Sequence, residues 1–460
     1  MARIVYITNG MASTLNSSFE LSRRLVEAGH DVTFLSHLDL AKAVGKQGHS
    51  FRQLTGCREQ ITEFSKELES LKANGNATFW RKLVLGRQYR KKTIRTGEIE
   101  EVLGDLKADL IIADIEMHYA ILACLSLKIP IVSVIVWFSI FRISGLPPMH
   151  TPIQPGTRLG ESLKIKMAWW KLVGRRLVFN VLKIFQPSSI KRRFIPVGYE
   201  TNRRADLKAI AKAHGVEFSK ATDQTQWLKP HLYREIPVLS FNVFEFEFPH
   251  VQHPNLTYVG PMIHSKRVES KMNPEEQKQW MAFLKNVKSD QSSRLVYCSL
   301  GTFWSTDQSF LQKLIELFRE QPDWNLVIGL GGKSSKRDLQ PVPENVLVMD
   351  YAPQLEILQH ADAAITHGGI TSINECIDQA VPMLVCSTGH VDQDGCAARV
   401  KFHRLGIVAE IDSEVSKLKT DIDKLLNDKE IRDNVEQMKG VFEKYKADKV
   451  ALKMIEGAIR

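Results

Sequence analysis

Short apolar runs recur along the chain, each closed by a polar turn and followed by a stretch of helical spacing. Residues 3–8 read as a first strand. The polar stretch 9–18 reads as a loop, 19–28 as a helix that Gly29-His30 terminates, and 31–35 as a second strand. Such a β-α-β opening predicts a doubly wound parallel sheet, whose ligands bind at the carboxyl ends of the strands. Residues 109–114 predict a buried strand with Asp114 at its carboxyl end. A helix around 119–128, a strand over 129–135 and a last strand of this half over 238–242 follow. A second series of strands is predicted at 295–298, 326–329, 346–349, 363–366 and 382–385, and the pattern over 416–460 is helical. Asn273 stands where a helix cap belongs, with Pro274 at the first position of a helix over 274–286.

Two stretches break this alternation. Residues 79–95 interleave basic residues with Trp80 and Tyr89. Residues 163–195 carry apolar side chains at 170, 173, 177, 181 and 184, the spacing of an amphipathic helix. Three uses are open to it: ordinary packing with snorkelling lysines, a lid over a greasy acceptor site, or a peripheral contact with an anionic membrane. Charge sharpens the question, because residues 151–208 hold thirteen Lys and Arg against three acids, while the chain as a whole carries a net charge of +10. No nucleic-acid motif accompanies the charge, so nucleic acid is not the expected partner.

A length of 460 residues is too great for one ordinary core and suggests two domains. A hydrophobic content of 43% and a charged content of 25% are those of a soluble globular protein. No apolar stretch approaches a membrane span of about 18 residues, and the opening Met1 to Tyr6 reads as a strand rather than a signal peptide. Six scattered cysteines read as reduced core residues, and a cytoplasmic location is expected. No His or Cys cluster has metal-ligand spacing, so no metal site is predicted.

The densest chemistry lies between 349 and 400. The turn Tyr351-Ala352-Pro353-Gln354 follows one strand, and His367-Gly368-Gly369 leads straight from the next strand into a helix over 371–379. Thr371 and Ser372 then sit in the first turn, where free N–H groups and the helix dipole favour an anion. A further strand ends in the polar loop His390-Val391-Asp392-Gln393, suited to a polyhydroxylated group.

Taken together, these residues resemble the nucleotide-sugar signature of the family 1 (UDP-type) glycosyltransferases. The wording is closest to that of the bacterial macrolide and carotenoid members. Ala352-Pro353-Gln354 matches the family's A-P-Q, with Tyr351 where plant members have Trp. His367 with Gly369 matches H-x-G, whose His contacts the diphosphate. Thr371-Ser372 and Glu375 match the phosphate step and the acid that takes the ribose hydroxyls, and Asp392-Gln393 match the pair that holds the sugar. Ser299-Leu300-Gly301-Thr302 matches the small-residue turn near the diphosphate. The resemblance implies a GT-B fold, α/β, with two Rossmann-like doubly wound domains facing a central cleft. It implies an acceptor domain over 1–263, a linker over 264–273 and a nucleotide-sugar domain over 274–440. The last helix, 441–460, would return to the first domain. Met11, Trp137, Pro148, Trp169 and Trp170 are the candidate acceptor contacts.

It also implies an inverting, metal-independent hexosyl transfer to a hydroxyl of a hydrophobic small molecule. The UDP-sugar is a co-substrate, with a lean towards UDP-glucose, and no cofactor is expected. One family residue is missing. Members use a His in the first loop as base, but Asn16 aligns with the motif's Asn and puts Thr14 on the His position. Its partner acid is present as Asp114, which becomes the first candidate base, with a helix cap as the alternative; Glu116 and His118 stand next in line. Two other readings stay open, a C-glycosyltransferase and an auxiliary activator that binds nucleotide sugar without transfer.

Overall fold

The computed structural model describes residues 1–460 apart from 77, 157–158, 186–196, 227–229, 266, 268–271, 302–307, 332–335, 340, 391 and 460. Thr302, residues 186–195 of the basic segment and half of the linker 264–273 therefore lie outside the described residues.

Among the described residues, thirteen strands form two sheets. The first contains β1 (Arg3–Ile7), β2 (Asp31–Ser36), β3 (Ser50–Gln53), β4 (Leu110–Asp114), β5 (Ile131–Ile135), β6 (Val238–Ser240) and β7 (Leu256–Tyr258). Its order is β3-β2-β1-β4-β5-β6-β7, with every pairing parallel. The second contains β8 (Arg294–Ser299), β9 (Trp324–Gly329), β10 (Val346–Met349), β11 (Ala363–Thr366), β12 (Met383–Val385) and β13 (Gly406–Val408). It too is parallel throughout, in the order β10-β9-β8-β11-β12-β13. Central strands buried on both faces need continuous apolar runs, and β4 and β5 are buried at every position.

Each sheet reverses its strand order once beside its first strand, between β1 and β4 and between β8 and β11. The helices that follow the two strands of such a pair leave on opposite faces. The gap at their carboxyl ends is where open α/β sheets bind ligands.

The structure differs from the sequence reading in three places. The first helix runs Ala12–Glu27, beginning well before residue 19. Its Ser- and Thr-rich start looked like loop, but the Ser17 and Ser18 hydroxyls bond back to the carbonyls of Ser13 and Thr14 at 3.3 and 2.8 Å, which satisfies them inside a helix. A strand after residue 242, β7, and a final strand, β13, each three residues long, are not among the expected strands. In the amphipathic helix Leu159–Phe185 the buried stripe is Ile165, Trp169 and Val173, whereas Trp170 and Leu177 are exposed. The spacing was helical, but a basic helix with apolar residues on two faces does not announce which one packs.

The helix Pro274–Ser289 begins with a full capping box: Asn273 Oδ1 accepts from Glu276 N at 2.8 Å, and Asn273 N donates to Glu276 Oε2 at 3.3 Å. The last helices, Lys429–Asp448 and Val450–Ile459, return to the first domain. There Tyr445 Oη accepts from Phe244 N at 3.3 Å and Glu456 lies 3.6 Å from His30. One apolar core includes Phe138, Phe241 and Phe246 beside the first sheet and Leu295, Ile365 and Leu384 of the second, so the two units share buried surface.

Candidate active site

At the β1–β4 reversal, Asp114 is 3% exposed. Its Oδ2 accepts from Thr8 Oγ1 at 2.9 Å and from Asn9 N at 2.7 Å, both just past the end of β1. Oδ1 is buried with no hydrogen-bond partner. Burial pushes the carboxyl up to about 7, with the neighbouring Glu116 charge adding to the rise and the bonds from Asn9 and Thr8 opposing it. Asn9 also serves Glu116, whose Oε2 accepts from Asn9 Nδ2 at 3.3 Å and whose carboxyl burial likewise raises. A capping role for Asp114 is not what these contacts describe, because its donors are on another strand's loop.

Thr8 and Asn9 hold the carboxylate, while Thr14 is 5% exposed within the first helix and Met11 is that helix's cap, 43% exposed. His118 is engaged on both ring nitrogens. Its Nε2 accepts from His231 N at 3.1 Å, which leaves the proton on Nδ1, 3.1 Å from the Tyr233 hydroxyl. At 1% exposure it is a packed, satisfied histidine.

At the β8–β11 reversal, His367 leaves β11 and its ring lies against the turn after β8. A Cβ added at Gly301 would stand 2.6 Å from His367 Cε1, and one added at Gly369 would stand 2.6 Å from Nε2. The imidazole is thus nested between two glycines, one of which, Gly301, also has a φ of +73°. Burial lowers the imidazole's pKa, against a smaller opposing effect from the Ser299 backbone. The helix Ile370–Asp378 starts here with Gly369 as its cap and no side-chain capping bond. Its Thr371 Oγ1 is buried without a partner. The first-turn N–H groups at Thr371 and Ser372 and an unpaired hydroxyl have the make-up of an anion cradle.

Around the cradle the other residues converge. Glu375, 1% exposed, accepts from Gln354 Nε2 at 2.5 Å, and Gln354 also reaches Ser372 Oγ at 3.4 Å. The Tyr297 hydroxyl donates to Gln354 Oε1 at 3.4 Å. Ala352 is half-buried and Tyr351 is 52% exposed beside it. Asp392 Oδ2 accepts from Ile370 N at 3.3 Å, which ties the predicted sugar loop to the cradle, and burial raises its carboxyl. Gln393 Oε1 accepts from Thr388 N and Oγ1 at 3.0 and 2.8 Å.

The candidate acceptor contacts divide. Trp169 is buried and donates from Nε1 to Leu146 O at 2.7 Å, Pro148 is buried, and Trp137 packs between two apolar clusters. Trp170 is 70% exposed and faces solvent.

Sequence reasoning missed two sets of residues. Arg267, from the linker, forms an ion pair with Glu375. Arg399 and Glu247 form a second pair with no exposure, and the guanidinium lies 4.1 and 4.4 Å from the ring centroids of Phe138 and Phe248. Arg399 stands on the helix Gln393–Phe402, which Asp392 precedes. On the same helix a Cβ at Gly395 would fall 1.6 Å from Met149 O, so the loop after Pro148 rests on its backbone. Each arginine is recognisable as an ion-pair partner only by the distant acid it meets.

Two parallel α/β domains, each with polar groups at its strand-order reversal and sharing a core, define the class of the GT-B glycosyltransferases. The chain belongs to the UDP-glucoronosyl and UDP-glucosyl transferase family, whose profile matches residues 217–446. It is 33% identical over 168 residues to the demethyllactenocin mycarosyltransferase of Streptomyces fradiae, a match covering 36% of each chain. The chain thus spans little more than a third of that relative's length. Identity to the zeaxanthin glucosyltransferase of Pantoea ananas is 21% over 409 residues, 88% of this chain and 84% of that one. Among solved structures, the kitacinnamycin glycosyltransferase superposes with a TM-score of 0.68 at 19% identity, over 100% of this chain and 99% of the other.

Proposed function

We propose that the protein is an inverting glycosyltransferase that moves a hexose, by preference glucose, from a UDP-sugar to a hydroxyl of a hydrophobic small molecule. The acceptor class is that of natural products, phenolics, carotenoids or lipid-like alcohols, in keeping with the names of its relatives. Asp114 carries the reading: one carboxylate oxygen is held by two donors, and the other is buried and unpartnered.

In this reading Asp114 Oδ1 takes the acceptor's hydroxyl proton as the acceptor oxygen bonds to the anomeric carbon. The bond from that carbon to the diphosphate oxygen breaks on the opposite face, so the configuration inverts. The proton stays on Asp114 and the negative charge leaves on UDP. A base raised to about 7 is well matched to work near neutrality. The leaving charge is met by fixed donors, namely His367, the first-turn N–H groups at Thr371 and Ser372, and the turn at Gly301. Glu375 with Gln354 takes the ribose hydroxyls, and Asp392 with Gln393 takes the sugar. Incubating the purified protein with UDP-glucose and a panel of hydroxylated aromatics and carotenoid diols tests the proposal. New glycosides by mass supports it. UDP binding with no product from any acceptor would leave an auxiliary binding protein instead.

A further inference from the structure

The helix Leu159–Phe185 has two apolar stripes, and only one of them is packed. Ile165, Trp169 and Val173 are buried at 4–6% exposure, with the Trp169 indole fixed to Leu146 O. The second stripe is Leu163, Met167, Trp170, Gly174 and Leu177, spaced four, three, four and three residues apart, with Val178 beside it. Its large side chains are open to solvent: Leu163 57%, Met167 61%, Trp170 70%, Leu177 48% and Val178 58%. An apolar stripe this regular and this exposed calls for an occupant.

Charge identifies the occupant. At about 100° per residue, exposed Lys164, Lys171 and Arg175 fall on one flank of the open stripe and exposed Lys166 falls on the other. Between 159 and 185 the sequence has six bases and a single acid. An apolar strip with a tryptophan, edged on both sides by cations, has the make-up of a helix lying in the plane of an anionic bilayer interface. A second copy of the same face would set lysines against lysines. No described helix is long and apolar enough to cross a membrane, so the contact is a peripheral one.

We infer that the exposed stripe of the helix Leu159–Phe185 docks the protein on anionic lipid, with Leu163, Met167, Trp170 and Leu177 entering the interface and Lys164, Lys166, Lys171 and Arg175 meeting headgroups. Vesicle binding needs no substrate, so its test is separate from that of the transfer reaction. The full chain is sedimented with phosphatidylcholine vesicles with and without phosphatidylserine, at low and high salt. Binding is expected only with phosphatidylserine and should weaken as salt rises. Met167→Glu with Trp170→Glu should abolish it, and Lys164→Gln with Lys171→Gln should weaken it on the order of tenfold, each lysine contributing a several-fold factor. All four positions are solvent-facing, so an unchanged melting temperature is expected and shows that the variants fold. Equal binding with and without phosphatidylserine, or undiminished binding of both variants, overturns the inference. So does a lipid-free dimer that the Met167→Glu, Trp170→Glu change dissolves.

Discussion

Glu247 and Arg399 meet with no exposure on either side, and Arg399 Nε lies 2.5 Å from Glu247 Oε1. Glu247 also accepts from Ser139 N at 3.1 Å, so the first domain's loops hold the acid and the second domain's helix brings the guanidinium. Removing one member of a buried pair strands the other charge, at a cost of about 3–5 kcal/mol. Arg399→Met should therefore lower the thermal midpoint by many degrees, and adding Glu247→Gln should restore part of the loss. Equal stability of wild type and Arg399→Met would show that water reaches the pair.

Asp114→Asn should abolish transfer to alcohol acceptors while UDP affinity, measured by calorimetry, stays unchanged. Base catalysis contributes ~10²–10⁴-fold, and phenols that ionise readily should lose less. The rate on an alcohol should fall as pH drops through about 7, since the base must be ionised. Near-wild-type turnover by Asp114→Asn would move the role to Glu116.

Stability should show the opposite pH trend at the same residue. Asp114's carboxyl is raised in the folded protein, so the fold binds its proton more tightly than the unfolded chain does. Its contribution is fully present below the unfolded value of about 4 and is lost as pH rises through about 7. Asp114→Asn should consequently flatten that decline. Chemical denaturation at pH 5 and pH 8, compared between the two proteins, measures it; parallel curves would contradict the shift.

Gly301→Ala should weaken UDP binding about tenfold, roughly 1.4 kcal/mol, because the new methyl displaces the His367 ring and sits at a φ of +73°. His367→Ala and Glu375→Ala should each cost on the order of 1.5–3 kcal/mol of UDP affinity. Unaltered calorimetric affinity in all three would remove the cradle from the donor site.

Turnover should persist in EDTA, since the proposed mechanism gives the leaving diphosphate to N–H and imidazole donors. A rate that collapses in chelator and returns with Mg²⁺ would contradict it.

Local sequence determined much of this protein. The strand ends at Asp114 and Thr366, the turn His367-Gly368-Gly369 and the cap at Asn273 are each set by neighbours within a few residues. Their chemistry could be read where it stood. The separate roles of Gln354 and Glu375 followed from resemblance to a family, but no spacing rule joins residues on two different helices, and their hydrogen bond is seen only in the fold. Tertiary structure alone decided the rest. It gave Asp114 the donors Thr8 and Asn9, because β1 and β4 are adjacent in the sheet. It closed Arg267 on Glu375 and Arg399 on Glu247, contacts between residues more than a hundred positions apart. And it chose which face of the helix Leu159–Phe185 to bury, a choice that helical periodicity leaves open whenever both faces are apolar.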